Sequence, residues 1–359
     1  MATKAGKYHN AAAWALKPET RPLVASAAPY TSPPPGHVVI EVHSVAVNPI
    51  DHIVQNSDVF HIRYPAIFGG DIAGHIVEVG DKVSDLKVGT RVIANGSVYD
   101  ANNPAYGAFQ KYAIVHSTSV AELPYNIPFN IGVVLPLGIS TASAGLFQPD
   151  FLALPLPVPT PRLSTAAPRV LLIWGGSSSV GSCAIQLAKI SGFDVVTTAS
   201  PANFKYCISL GADAVYDYHD RNVEDQIVKA MKGHTFAGAY HAVGADDAVE
   251  TCARIADRTQ GKAIVVTVRG VPDQGIPSSV RVKSISAGSI FALGNAVGPY
   301  IWRNFLPGAL ANGQVKPLPA ALVVGGGLRS VQHGLDVQRR GVSARKVVVG
   351  GIDGDASKE

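Results

Sequence analysis

The chain reads as an α/β protein: a doubly wound parallel sheet accompanied by a smaller, mostly antiparallel β domain. Three observations predict this. First, the apolar run Val170–Trp174 leads into Gly175-Gly176-Ser177-Ser178-Ser179-Val180-Gly181 and then into an amphipathic stretch from Ser182 to Lys189. A strand, a glycine-rich turn and a helix in that order place a pyrophosphate on helix N-terminal amides. Second, Phe193–Ala199, Ala214–Tyr216, Gly238–Ala242 and Lys262–Val268 alternate with helical stretches, as parallel strands joined by crossovers do. Third, Val38–Val42, Ala73–Val79, Thr90–Ala94 and Gln110–Val115 are short β-branched runs separated by Gly, Pro and Asp turns, which favours an antiparallel domain near the N-terminus.

A chain of 359 residues exceeds the size at which one core stops growing, about 250–300 residues, so two domains are expected. The pattern changes near Leu137. The expected divisions are 1–137 for the β domain, 138–300 for the parallel-sheet domain, and 301–359 as a return to the β domain. In that last part Val331–Arg340 reads as an amphipathic helix closed by Gly341, and Lys346–Val349 as a strand. The segment Leu152–Pro161 carries four prolines, which bars it from a helix interior or a central strand, and it is expected as a surface excursion.

Composition narrows the function. With 30 basic and 26 acidic residues the formal charge is +4, too small a bias for nucleic-acid binding. Cys183, Cys207 and Cys252 are widely spaced in helix-like apolar patterns and read as buried hydrophobes rather than ligands or disulfide partners. The eleven histidines show no metal-ligand spacing. No uninterrupted apolar run of about 18 residues and no signal-like start is seen, so a cytosolic protein without a membrane span is expected.

At the end of the second parallel strand stands Ser200, where a site specific for NAD usually carries Asp or Glu. An acidic side chain there accepts from a ribose 2′-hydroxyl but repels a 2′-phosphate, whereas small hydroxyl and amide donors bind phosphate oxygens. Ser200, Asn203 and Tyr218 supply such donors, which points to NADPH. Ser200-Pro201 also fits a helix cap, but the nucleotide-fold context favours the cofactor role, and one residue can serve both.

Several motifs then occur in one order: Val45-Ala46-Val47-Asn48-Pro49-Ile50-Asp51, Phe68-Gly69-Gly70-Asp71-Ile72-Ala73-Gly74, Leu86-Lys87-Val88-Gly89, Gly107-Ala108-Phe109-Gln110 and Gly138-Ile139-Ser140-Thr141-Ala142. With the glycine turn they resemble the medium-chain dehydrogenases/reductases over nearly the whole chain. The Leu154-Pro155-Leu156-Pro157 insertion and Ser200-Pro201-Ala202-Asn203-Phe204 resemble, more narrowly, fungal enoyl reductases that serve polyketide synthases in trans, the lovastatin type. The resemblance implies a GroES-like substrate domain, a Rossmann domain, NADPH, and reduction of an α,β-unsaturated polyketide thioester on an acyl carrier domain. A quinone or alkenal reductase acting on free small molecules is the alternative within the same family. A nucleotide-binding protein without turnover is a further one.

By the same resemblance, the catalytic-zinc positions of the family's metal-dependent branch fall on Pro49 and Gly70, which offer no side-chain ligand, so no metal is expected. The usual middle glycines of the turn are Ser178 and Ser179 here, whose hydroxyls are expected to donate to phosphate. Implied cofactor contacts are Pro49, Thr141, Gly175, Gly176, Ser177, Ser178, Ser179, Val180, Ser200, Asn203, Tyr218, His241, Val243 and Val268. His241 reads either as lining the cofactor cleft or as a buried structural histidine. Asn48 and Thr141 are expected near the nicotinamide ribose and the thioester carbonyl, with a helix cap as the other reading of Thr141. For the proton that completes the reduction the candidates are Asp51, His52, Tyr64 and water. The lysine that lovastatin-type relatives carry is Ile53 in this chain. Arg329, Arg339, Arg340, Arg345 and Lys346 form a basic run that is either a solvated face or a patch for an acidic carrier domain. A monomer is favoured, with a dimer as the alternative.

Overall fold

A computed structural model describes residues 8–57, 60–158, 168–243 and 247–354. The chain forms two compact units, one of Met1–Leu137 with Ala320–Glu359 and one of Gly138–Pro319.

The first unit is built on a seven-stranded sheet. Its order is Ala320–Gly326, Arg345–Gly350, His37–Ala46, Asp71–Val79, Arg91–Asn95 and Val120–Glu122, and Tyr112–His116 pairs with His37–Ala46. All pairs are antiparallel except Ala320–Gly326 with Arg345–Gly350. Val38, Ile40 and Val42 alternate along one strand, and with Ile72, Ile76, Val92 and Val115 they form a core that Val331 and Leu335 of the helix Val331–Arg339 also enter. This period-2 burial is what the β-branched runs foretold. The C-terminal segment thus belongs to the β unit through Arg345–Gly350, which lies beside His37–Ala46.

The second unit carries a six-stranded, wholly parallel sheet in the order Ala214–Asp217, Asp194–Ala199, Arg169–Trp174, Thr235–His241, Ile264–Thr267, Arg281–Ser284. Numbered by appearance this is 3-2-1-4-5-6, the doubly wound order whose reversal between first and fourth strands marks the nucleotide crevice. The fourth strand begins earlier than expected, at Thr235, because a register shift between Phe236 and Ala239 breaks the pattern that signals a strand start.

Two expectations are corrected. The unit ends at Pro319 rather than residue 300. Ile301, Trp302, Phe305 and Leu306 are buried, and the Gln186 side chain donates to Lys316 O at 3.3 Å and accepts from Lys316 N at 2.8 Å, tying this stretch to the helix Ser179–Ile190. The proline-rich segment is irregular through Val158 but not wholly superficial, since Leu152 and Leu154 are buried and Lys262 Nζ donates to Leu152 O at 2.9 Å. Its residues 159–161 lie outside the described residues.

The three cysteines are buried, and none of them is in a disulfide. Among the described residues one stretch, Phe129–Phe147, is long and apolar enough to cross a membrane by length and composition, and 78% of its apolar 18-residue window is buried inside the protein.

Candidate functional site

In the parallel unit the turn after Arg169–Trp174 is closed by two glycines. Gly175 has φ +85°, and a Cβ there would stand 2.2 Å from Val243 Cγ1. A Cβ on Gly181 would stand 2.2 Å from Gly175 O, so the helix Ser179–Ile190 can approach the strand end only without one. Ser178 is the N-cap of this helix and its Oγ accepts from Gly181 N at 3.0 Å. That oxygen therefore already serves the helix, and its own hydrogen is what remains to be donated. The amides of Gly175 and Gly176 are spent on Thr198, leaving the first-turn amides of Ser179 and Val180 as the anion-facing donors of a helix start.

Beyond Asp194–Ala199, Ser200 stands at the N-cap position of a short 3₁₀ turn, Pro201–Asn203, but makes no side-chain cap bond there. Asn203 Nδ2 donates to Ser200 Oγ at 3.1 Å, so these two residues are brought together. Tyr218 follows Ala214–Asp217, is a little under half exposed, and its ring centroid lies 4.0 Å from that of His219. His241 is fully buried, with Nδ1 2.8 Å from Thr267 Oγ1, and its carbonyl accepts from Val268 N at 3.2 Å. Thr141 lies inside the helix Pro136–Phe147, which rules out the helix-cap reading; its carbonyl accepts from Tyr240 Oη at 2.7 Å.

In the β unit the helix Pro49–Asn56 starts at the N-cap Asn48, with Pro49 in the position where a missing N–H costs nothing. Asp51 Oδ2 accepts from Asn48 N at 2.7 Å, half of a capping box. Its other oxygen, Oδ1, receives the Tyr99 hydroxyl at 2.5 Å. Asn48 Nδ2 donates to Asp71 Oδ2 at 2.9 Å, while Lys346 Nζ donates to Asn48 Oδ1 and lies 3.1 Å from Asp71 Oδ2. Asp71 Oδ1 accepts from Leu137 N at 2.8 Å. Lys346, Asp71, Asn48, Asp51 and Tyr99 thus form one continuous hydrogen-bonded chain, joined between Asn48 and Asp51 through the Asn48 backbone N–H. His52 turns aside to Gln338 Oε1, at 2.6 Å.

Burial drives the electrostatics here. Asp51 is fully buried, and desolvation pushes its carboxyl from an ordinary 3.8 up to about 7, against the opposing pull of the Tyr99 and Asn48 hydrogen bonds. Burial and the neighbouring carboxyl likewise hold the Tyr99 phenol well above its usual value. Lys346, which the sequence placed in a basic surface run, is instead buried and paired; Arg329, Arg339, Arg340 and Arg345 are exposed. Tyr99 and Lys346 were missed as site residues. Asp71 was visible only as the acid in Gly69-Gly70-Asp71, and the one signal for Lys346 was a cation opening a fully apolar run.

Zinc does not fit these residues. Pro49 and Gly70 present no donor, and among the described residues no group of three His, Cys, Asp or Glu is placed to hold a metal ion. A nicotinamide dinucleotide does fit the turn, because the two glycines let the helix Ser179–Ile190 start close against the strand end, with the first-turn amides of Ser179 and Val180 unspent for a pyrophosphate.

Residues 34–125 match the model of the alcohol dehydrogenase GroES-like domain, and residues 179–308 match that of the zinc-binding dehydrogenase family. The chain is 39% identical to dehydrogenase pigH of Monascus ruber over 95% of this chain and 99% of that protein. It is 38% identical to trans-enoyl reductase himH of Aspergillus japonicus, over 95% and 97%. Among solved structures, an alcohol dehydrogenase superfamily protein from Novosphingobium aromaticivorans superposes with a TM-score of 0.78 at 22% identity, covering 95% of this chain and 99% of that one.

Proposed function

Because the chain belongs to the medium-chain dehydrogenase/reductase superfamily and is an oxidoreductase, we propose that it is an NADPH-dependent enoyl reductase acting in trans on α,β-unsaturated polyketide thioesters carried by an acyl carrier domain. The observation that carries this reading is the near full-length similarity to a protein named trans-enoyl reductase, on a chain whose tightly packed turn at Gly175–Gly181 opens a helix with unspent first-turn amides.

When bound, the nicotinamide supplies a hydride for the β-carbon. The remaining work falls to the protein. The amides of Ser179 and Val180, with Ser177, the Ser178 hydroxyl and the turn residues Gly175 and Gly176, would hold the pyrophosphate. Ser200, Asn203 and Tyr218 take the 2′-phosphate. Pro49, His241, Val243 and Val268 shape the cofactor's surroundings. Asn48 and Thr141 orient the nicotinamide ribose and polarise the thioester carbonyl where negative charge develops, the usual route to lowering such a barrier. Asp51 belongs to the proton supply. The protein acts as a monomer.

The test is incubation with NADPH or NADH and enoyl pantetheine thioesters of increasing length, and with the same acyl groups on an acyl carrier domain, following cofactor fluorescence. NADPH consumption that improves with chain length and carrier attachment supports the reading. Turnover of quinones or free enones with inert thioesters replaces it by the quinone or alkenal reductase.

A further inference from the structure

We propose that Tyr206 is a positioning residue for cofactor choice: through Ser182 it clamps the loop 200–203 to the glycine turn and so fixes the span between the pyrophosphate donors and the 2′-phosphate donors. This rests on the NADPH reading of Ser200 and Asn203, and names the residue that holds them in register.

Both ends of that loop are pinned to one residue, Gly176. On the entering side, Thr198 of the strand Asp194–Ala199 accepts from Gly176 N through its carbonyl at 2.9 Å and from Gly175 N through its Oγ1 at 3.0 Å. On the leaving side, Tyr206 in the helix Phe204–Ser209 places its Oη 2.8 Å from Ser182 Oγ, and Ser182 Oγ donates to Gly176 O at 3.3 Å. Ser182 has a single hydroxyl hydrogen, spent on Gly176, so Tyr206 is the donor of the pair. Burial raises the Tyr206 phenol above its ordinary value, which keeps that hydrogen in place.

The parts that Tyr206 joins are each compact. A Cβ on Gly176 would stand 2.2 Å from Thr197 Oγ1 and 2.8 Å from Ile185 Cδ1, so this residue is wedged between the strand and the helix Ser179–Ile190. Ser182 is fully buried, and its amide donates to Ser178 O at 2.8 Å in the turn whose first amides await the pyrophosphate. Within the loop, Asn203 N donates to Ser200 O at 2.8 Å and Asn203 Nδ2 to Ser200 Oγ at 3.1 Å, so these two residues move as one body. The Tyr206 hydroxyl closes the loop onto the turn across 24 positions of sequence.

NADH needs only the turn, whereas NADPH needs the turn and the loop at one fixed separation. Loosening the closure therefore penalises the dinucleotide with the 2′-phosphate and spares the other, because the second anchor must then be ordered at the moment of binding.

The test compares fluorescence titrations of NADPH and NADH in the unmodified protein, Tyr206→Phe, Ser182→Ala and the double variant, with melting temperatures alongside. Tyr206→Phe should raise the NADPH Kd about fivefold, as the loss of one hydrogen bond does, while the NADH Kd stays within about twofold. Ser182→Ala should show the same selective loss, and the double variant should bind NADPH no more weakly than Ser182→Ala, because the two hydroxyls share one bond. Should Tyr206→Phe unfold, the selectivity of Ser182→Ala decides. Equal losses for both cofactors would make Tyr206 a packing residue and overturn this inference alone, as would an unchanged NADPH Kd or additive losses. An unmodified protein that binds NADH as tightly as NADPH overturns it together with the NADPH reading.

Discussion

Lys346 and Asp71 form an ion pair at 3.1 Å in which both side chains are almost wholly removed from solvent, at 5% and 0% exposure, although 275 positions separate them in the chain. Asp71 lies on the strand Asp71–Val79 and Lys346 on Arg345–Gly350, so the pair ties the C-terminal strand to the early part of the sheet. Removing one partner strands the other charge in the interior, at a cost of roughly 3–5 kcal/mol. Lys346→Met and Asp71→Asn should each lower the urea midpoint markedly, and the double variant should lose less than the sum of the two. Additive losses would show that the pair is not coupled.

Asp51 makes stability depend on pH in the direction opposite to an ordinary salt-bridged carboxylate. Below its ordinary 3.8 both folded and unfolded chains hold the proton. Between 3.8 and about 7 the unfolded chain releases it while the folded chain keeps it, so this group's contribution to stability falls as pH rises, by about 1.4 kcal/mol per unit. Above 7 the loss is complete. Asp51→Asn escapes this loss, so its melting temperature relative to the unmodified protein should rise from pH 5 to pH 8. A difference that stays flat over that range would contradict the raised carboxyl.

Gly175 tests the nucleotide turn. Gly175→Ala forces a side chain into a φ of +85° and against Val243, so it should destabilise the parallel unit and weaken NADPH binding at least tenfold in a fluorescence titration. Val243→Ala on that background relieves the clash but not the backbone strain, so recovery should be partial. Full affinity in Gly175→Ala would remove the turn from the binding site.

Ser200 tests the choice of cofactor. Ser200→Asp sets a carboxylate beside Asn203, where it repels a 2′-phosphate and accepts from a 2′-hydroxyl. The preference for NADPH over NADH in kcat/KM should narrow or reverse. An unchanged ratio would take the phosphate away from this strand end.

The parallel sheet was legible because its signals are local: each strand is a short apolar run, and Gly175 and Gly181 sit six residues apart around a turn whose close packing needs them. Asn48, Pro49 and Asp51 were singled out only through the resemblance; that they form a cap, a first-turn proline and an acid three residues on, one contiguous device, is visible in the structure. What stayed hidden is non-local. Lys346 read as part of a basic run because nothing nearby reveals that strand pairing brings it to Asp71 and Asn48. Tyr99 lies between motifs and gains meaning only from the oxygen of Asp51. The end of the parallel unit was misplaced because Gln186 holds Lys316 across 130 positions, a contact no periodicity announces. Ser178 was assigned to phosphate without knowing that its oxygen already caps the helix.

The most direct measurement is the disappearance of NADPH when the purified protein meets a long enoyl group on an acyl carrier domain, with the product identified by mass. The account predicts stoichiometric cofactor oxidation and a product heavier by two hydrogens. Tight NADPH binding with no change in the acyl group would contradict it.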